Sequence, residues 1–298
     1  MKNPFSNAVV VLLAWMRMRR YPGLFSLSDA LMQVDRVVLP ARFHHRFAAA
    51  ALRRQARIER EPDGVWRIDL PVHGLVFFWR EQPTPNLWYL IEQEFDERNP
   101  HCYTTAPIKL THESLIVDVG ACEGLFAFRA AKKGMAKRVI CFEPLAEMAE
   151  LIRRGAEANG VRHLIDVETV AVTRKSGQVS FAITEGADRG CIDMDRTGAR
   201  QIPAVSIDEY LSSRGIQLRP CDLLKIDAEG ADMDVLIGAE RVISEIGPQI
   251  AVTTYHKDAH CGQMVDWLRA KQPNYRMRLK GFSFWTGKPH PVLLQAAR

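Results

Sequence analysis

The sequence predicts an α/β fold: a mostly parallel sheet with helices on both faces, preceded by an N-terminal helical and hairpin extension. Three observations carry this reading. After Ile116, short and almost wholly apolar runs alternate with longer stretches of helical periodicity, the pattern of repeated strand–helix–strand units. The run LIVDVGACEG, residues 115 to 124, reads as a strand buried on both faces, a tight glycine turn and a helix start. A composition of 47% hydrophobic and 25% charged residues over 298 positions is that of a globular chain long enough to bury a large core.

In chain order, Met1 to about Arg60 is patterned as helix, with a break at Tyr21-Pro22-Gly23 and a restart near Ser26-Leu27-Ser28-Asp29, where Ser or Asp can cap. This leader is basic, with eleven Lys or Arg against three Asp or Glu, which leaves 29 against 32 in the rest of a chain whose formal net charge is +5. Such a face suits nucleic acid, anionic lipid or an acidic partner, and equally a solvated helix. No base-reading motif accompanies it, so nucleic acid is not expected, whereas peripheral membrane contact stays open. The apolar run Ala8 to Trp15 is too short to cross a bilayer, and Arg17, Arg19 and Arg20 follow it where a signal peptide needs small residues. Six cysteines, at 102, 122, 141, 191, 221 and 261, are scattered without a C-x-x-C pair or a zinc-type His cluster. A reducing cytoplasmic setting fits.

Val65 to Leu70 and Leu75 to Trp79, around Pro71-Val72-His73-Gly74, predict a hairpin, and Leu87 to Phe95 a short helix. Trp79, Trp88 and Tyr89 form either a binding wall or plain core. Residues 1–100 are accordingly set apart as a lid or substrate- or partner-binding extension, and 101–298 as the main domain. Within the latter the patterning predicts helix 124 to 133, strand Arg138 to Phe142, helix Leu145 to Asn159 closed by Gly160, and strand Ile165 to Val172. Gln178 to Thr184 and Pro203 to Ile207 follow as strands around a loop rich in Gly and Asp. Strand Leu223 to Ile226, helix 232 to 243, strand Ile250 to Thr254, helix Met264 to Ala270 and an antiparallel pair, Tyr275 to Leu279 with Val292 to Gln295, complete the series.

In such a sheet ligands sit outside the carboxyl ends of the strands. Gly120 and Gly124 bracket Ala121, Cys122 and Glu123, the following helix aims free N–H groups over the turn, and Asp118 can accept from a ligand amine. Glu143, followed by Pro144, stands 25 residues beyond Asp118 at the next strand end, where an acid accepts both hydroxyls of a ribose. A nicotinamide-dependent oxidoreductase needs a middle glycine where Cys122 stands, and Asp118 repels phosphate, so a pyrophosphate is disfavoured. An amino-acid group plus a ribose describes S-adenosylmethionine. Lys225, Asp227 and Glu229, two residues apart each, share one face if the strand stays extended, and serve either ion pairing or proton handling. His256 ends the next strand and titrates near neutrality.

These pieces, VDVGACEG at 117 to 124, FEP at 142 to 144, VSIDEY at 205 to 210, LLKIDAEGADMDVLIGA at 223 to 239 and TYHK at 254 to 257, make residues 110 to 298 resemble the FkbM family of S-adenosylmethionine-dependent methyltransferases. The resemblance implies a Rossmann-like class I methyltransferase with a mostly parallel seven-stranded sheet. It further implies that Asp118 and the Gly120 turn hold the methionine part and Glu143 the ribose, and that the acceptor is a hydroxyl of a small molecule, natural product or glycan. The chain departs from the usual family pattern at Cys122-Glu123 and at Thr254-Tyr255-His256. On this reading Glu229 or His256 takes the hydroxyl proton, with Lys225 and Asp227 orienting the acceptor; no resident metal is expected, although Asp227 and its neighbours offer ligands for a divalent ion. The rival from another class is a binding or scaffold protein that keeps the fold without catalysis.

Overall fold

The computed structural model describes residues 16, 18–32, 45–183, 190–192, 200–283 and 289–298. The run Ala8 to Trp15, with about half of the basic leader and most of the 184–199 loop, lies outside them. Helix α1 (Leu27–Leu31) is capped as expected: the Ser26 hydroxyl accepts from the Asp29 N–H and the Asp29 carboxylate accepts from the Ser26 N–H. Helix α2 (His45–Gln55) follows, then strands β1 (Arg57–Arg60), β2 (Trp66–Leu70) and β3 (Leu75–Trp79) in one antiparallel sheet. The predicted hairpin is therefore present with an additional strand. Arg57–Arg60, expected as helix, instead pairs with β2 in the register Ile58↔Ile68. All four residues are exposed, and charged side chains suit an edge strand that should recruit no further partner. Helix α3 (Pro85–Phe95) starts on a proline at its first turn.

Seven strands make the central sheet: β4 (Leu115–Val119), β5 (Arg138–Phe142), β6 (Ile165–Glu168), β11 (Leu223–Ile226), β12 (Gln249–Thr253), β13 (Arg276–Ser283) and β14 (His290–Ala297), in the order β13-β14-β12-β11-β4-β5-β6. The first five are mutually parallel and the last two form an antiparallel hairpin on one edge. The alternation along each strand serves two cores. Leu115, Val117, Val119, Leu224 and Ile226 face one side; Ile116, Val139 and Leu223 face the other. The second side is filled by α4 (Leu125–Lys132), α5 (Ala146–Ala158), β2, β3 and α3, so the hairpin extension shares its core with the sheet. Trp79 and Trp88 belong to that core, 6% and 2% exposed, and form no binding wall.

A smaller sheet, β7-β10-β8-β9, comprises β7 (Ala171–Val172), β8 (Gly177–Ile183), β9 (Gly190–Ile192) and β10 (Arg200–Val205). The strand expected over Ile165 to Val172 is thus two, broken after Glu168, whose carboxylate accepts from the Tyr210 hydroxyl at 2.7 Å and meets Arg214 at 3.2 Å. The first face carries α6 (Ile207–Ser213), α7 (Asp232–Gly238), α8 (Glu240–Glu245) and α9 (His260–Lys271). The single helix expected over 232 to 243 divides at Ala239 because the Asp208 carboxylate accepts from the N–H groups of Arg241 and Val242, 2.7 and 3.0 Å away, and so caps a second helix. Among the described residues no helix is long and apolar enough to cross a membrane.

Candidate active site

The chain reverses direction in the sheet between β4 and β11, and the carboxyl ends of these two strands press together. Gly120 adopts φ 77°, and a Cβ on it would lie 1.9 Å from the carbonyl oxygen of Asp227, so only glycine permits this contact. The Asp227 N–H donates to Val119 O at 3.0 Å, and the N–H groups of Gly120 and Ala121 both donate to Phe142 O. Cys122, standing where a middle glycine was missed, takes the left-handed conformation a glycine would take, with φ 49°. Its N–H donates to Glu143 Oε2 at 3.1 Å, and the Leu145 N–H donates to Oε1 at 3.0 Å. Glu143, 6% exposed, is fixed at the end of β5 with acceptor capacity left on each oxygen. Burial pushes its carboxyl up to about 7, against the two N–H bonds that favour the charged form.

A cavity opens at this point. Gly120, Ala121, Cys122, Glu143 and Pro144 bound it on one side and Asp227 and Glu229 on the other; Leu145, Met148, Val170 and Ala171 give it an apolar end. Leu90, Gln93, Glu94, Tyr103 and Tyr255 close it opposite. Asp118 does not reach it. That side chain is fully buried and lies 2.7 Å from the ammonium of Lys225, its neighbour across the β4–β11 ladder. Lys225 also donates to Gly120 O at 2.8 Å and sits 5.1 Å from the Tyr103 ring centre. Burial disfavours the lysine charge, but Asp118 and Asp227 outweigh it and hold the ammonium above the ordinary lysine range. Asp118 is thus placed as the counter-ion that anchors the glycine turn through Lys225, not as a direct acceptor for a ligand amine.

The expected common face of Lys225, Asp227 and Glu229 also divides. The strand ends at Ile226, and Glu229, at φ 46°, turns towards His256 while Lys225 stays with Asp118. His256 Nε2 is 3.6 Å from both Asp227 Oδ1 and Glu229 Oε2, and its Nδ1 is 2.9 Å from Asp232 Oδ2. A carboxylate only accepts, so Nδ1 carries the proton of that bond. Burial opposes the imidazolium, yet Asp232, Asp227 and Glu229 together lift it to about 9. Asp232, itself fully buried, also accepts from the N–H groups of Ala228 and Gly230 and from Thr253 Oγ1. Asp227 Oδ2 accepts from the Tyr103 hydroxyl at 2.6 Å.

Tyr103, Asp232 and Glu94 are site residues that sequence reasoning missed. Asp232 lies inside the matched LLKIDAEGADMDVLIGA run but reads there as an ordinary acid of a helix first turn. Glu94 lines the cavity 3.6 Å from Arg129, its carboxyl pushed up to about 7 by burial against the arginine charge. Its place on the amphipathic α3 gives no sign of that.

A doubly wound sheet with an antiparallel edge hairpin, and a glycine turn and a following strand-end acid on one cavity at its switch point, defines the Rossmann-like methyltransferase fold. The profile of the methyltransferase FkbM domain matches residues 118–277, more than half of the chain, which therefore belongs to the FkbM family of methyltransferases. The AMB antimetabolite synthetase AmbE of Pseudomonas aeruginosa is 29% identical in a match covering 52% of this chain; the chain spans 9% of that protein's length. A solved methyltransferase FkbM from Methylobacillus flagellatus aligns with a TM-score of 0.48 at 19% identity, covering 71% of this chain and 54% of that one. The O-methyltransferase of Bacillus cereus, solved in complex with SAH, aligns with a TM-score of 0.39 at 13% identity over 63% and 75% of the two chains.

Proposed function

We propose that this chain transfers the methyl group of S-adenosylmethionine to a hydroxyl oxygen of a small molecule, natural product or glycan. The observation that carries the reading is a cavity with the glycine turn and Glu143 on one side and Asp227 and Glu229, backed by His256, on the other. The residues fit the cofactor. Gly120 and Ala121 line the cavity at the turn, the Glu143 oxygens accept from a ribose diol, Leu145, Met148 and Ala171 suit an adenine, and Cys122 stands where a pyrophosphate-binding turn needs a glycine.

The sulfonium supplies an electrophilic methyl group; the protein's part is to align the acceptor, exclude water and take one proton. Glu229 lines the cavity with its side chain 47% exposed and takes the hydroxyl proton. Asp227, held by Tyr103 and Thr253, orients the acceptor oxygen. His256 does not line the cavity, and its hold on Asp232 makes it a positioning residue for both carboxylates. Leu90, Gln93 and Tyr103 supply the acceptor wall.

Thermal shift tests the reading: S-adenosylmethionine and S-adenosylhomocysteine should each stabilise by about 2.7 kcal/mol at a hundred times their Kd, and NAD should do nothing. Stabilisation by NAD alone would sink it. Substituting Glu229→Gln should lower turnover by about 10²- to 10⁴-fold with cofactor Kd unchanged; full activity would reassign the base. Because the ribose needs the Glu143 carboxylate, cofactor affinity measured by calorimetry should rise with pH and level off above about 7, falling by up to about tenfold per unit below it. Glu143→Gln should bind weakly and flatten that profile; an unchanged profile in the variant would assign the titration elsewhere.

A further inference from the structure

We propose that Asp227, Glu229 and His256 form a binding site for one divalent first-row cation with the size and ligand preference of Mn²⁺ or Zn²⁺. Their donor atoms all lie within 4.8 Å of one another, and His256 Nε2 is 3.6 Å from each carboxylate oxygen. Ligand atoms of a tetrahedral site with bonds of about 2.0–2.1 Å stand about 3.3–3.4 Å apart, so the histidine needs to close on each carboxylate by only a few tenths of an ångström, and the two carboxylates on each other by no more than about 1.5 Å.

Two carboxylates alone would be no more than an acidic corner. The histidine makes the difference, because its side chain is 9% exposed and its buried Nε2, aimed between the carboxylates, has no hydrogen-bond partner. The surroundings are those of a built site. Asp232 accepts from Nδ1–H and so leaves Nε2 as the ring atom that faces the carboxylates and gives up its proton when the ion binds, while Tyr103 and Thr253 hold Asp227. A neutral imidazole and two carboxylates balance a double positive charge, and an imidazole with two oxygen donors favours a first-row ion over Mg²⁺ or Ca²⁺. The lysine in reach, Lys225, is already paired with Asp118 and Gly120 O.

Asp227 and Glu229 line the cavity whereas His256 closes the site from behind, so the open coordination positions face the space given to the acceptor. Binding of the ion is independent of the proposed reaction; its use in presenting an acceptor oxygen rests on that reading.

The full chain is stripped with EDTA, dialysed, and titrated with Mn²⁺ while free ion is followed by electron paramagnetic resonance, then with Zn²⁺ by calorimetry. One equivalent should bind, and Glu229→Gln and His256→Asn should each weaken it by at least about tenfold. Glu229 is half-exposed, so its variant should fold as the parent does, and stabilisation by S-adenosylmethionine is recorded for every protein. Failure of the parent to bind either ion, or unchanged affinity in Glu229→Gln, overturns the site. If cofactor stabilisation persists in that event, the methyl-transfer reading stands without the ion. One bound ion, lost in the variants, on a protein that S-adenosylmethionine does not stabilise would support the site and refute the reading of the reaction.

Discussion

Replacing Lys225 by methionine is expected to destabilise the protein by about 3–5 kcal/mol, because it strands the Asp118 carboxylate in the interior. Asp118 has no exposed surface, its only ion pair among the described residues is with Lys225, and Oδ2 has no hydrogen-bond partner. At about 2 °C per kcal/mol for a chain of this size, the unfolding midpoint should fall by about 6–10 °C. The single substitution also removes the bond to Gly120 O, so cofactor affinity should drop with stability. Adding Asp118→Asn to Lys225→Met removes the stranded charge and should recover most of the loss in stability, since neutral pairs replace buried ion pairs at little cost. Cofactor affinity should stay low in the double variant, because the Gly120 contact is still missing. A Lys225→Met protein as stable as the parent would show that the pair contributes nothing, and a double variant less stable than either single one would place the stress elsewhere.

The second large effect is expected from Gly120→Ala. A Cβ there meets backbone, the Asp227 carbonyl at 1.9 Å, which no side-chain rotation relieves. Parting the two turns would break the Asp227 N–H bond to Val119 O that closes the switch point. Overpacking of this kind costs about 1–3 kcal/mol and a left-handed alanine about 1 more, so a loss of about 3 kcal/mol in urea unfolding is expected, with cofactor binding lost as well. Gly134→Ala is the control: it shares the positive φ, 63°, but nothing lies within 4 Å of the new Cβ. It should cost only the conformational part. Equal effects at the two glycines would show that the close approach to Asp227 is not what fixes Gly120.

How much of this was legible depended on how far apart the cooperating residues lie in the chain. Strands β4, β5 and β11 have the bounds expected of them, because a strand covered on both faces is apolar from end to end and bounded by turns. The Gly120 turn and Glu143 were legible because their chemistry is local, 23 residues apart in one strand–helix–strand unit. The Asp118 and Lys225 pair is a product of register between strands more than a hundred residues apart, so each acid and base was assigned to a ligand when it belonged to the other. The break after Glu168 depends on Tyr210 and Arg214, and the split of α7 from α8 on Asp208, contacts with no trace in the local pattern. Tyr103 sits in a stretch with no periodicity at all.

That stretch is held from the far side of the sheet. Gln295 Nε2 donates to the carbonyls of Tyr103 and Thr105, and the buried Lys280 ammonium donates to those of Asn99 and Cys102. The order of synthesis therefore matters to when the protein becomes able to work. Residues 118 to 145 leave the ribosome early, but their turn closes only when Lys225 and Asp227 follow, and Tyr103 waits longer still, for residues 280 and 295, before its hydroxyl is steadied over Asp227. A nascent chain becomes able to engage its cofactor once residue 227 has emerged, before it could seat anything to be methylated.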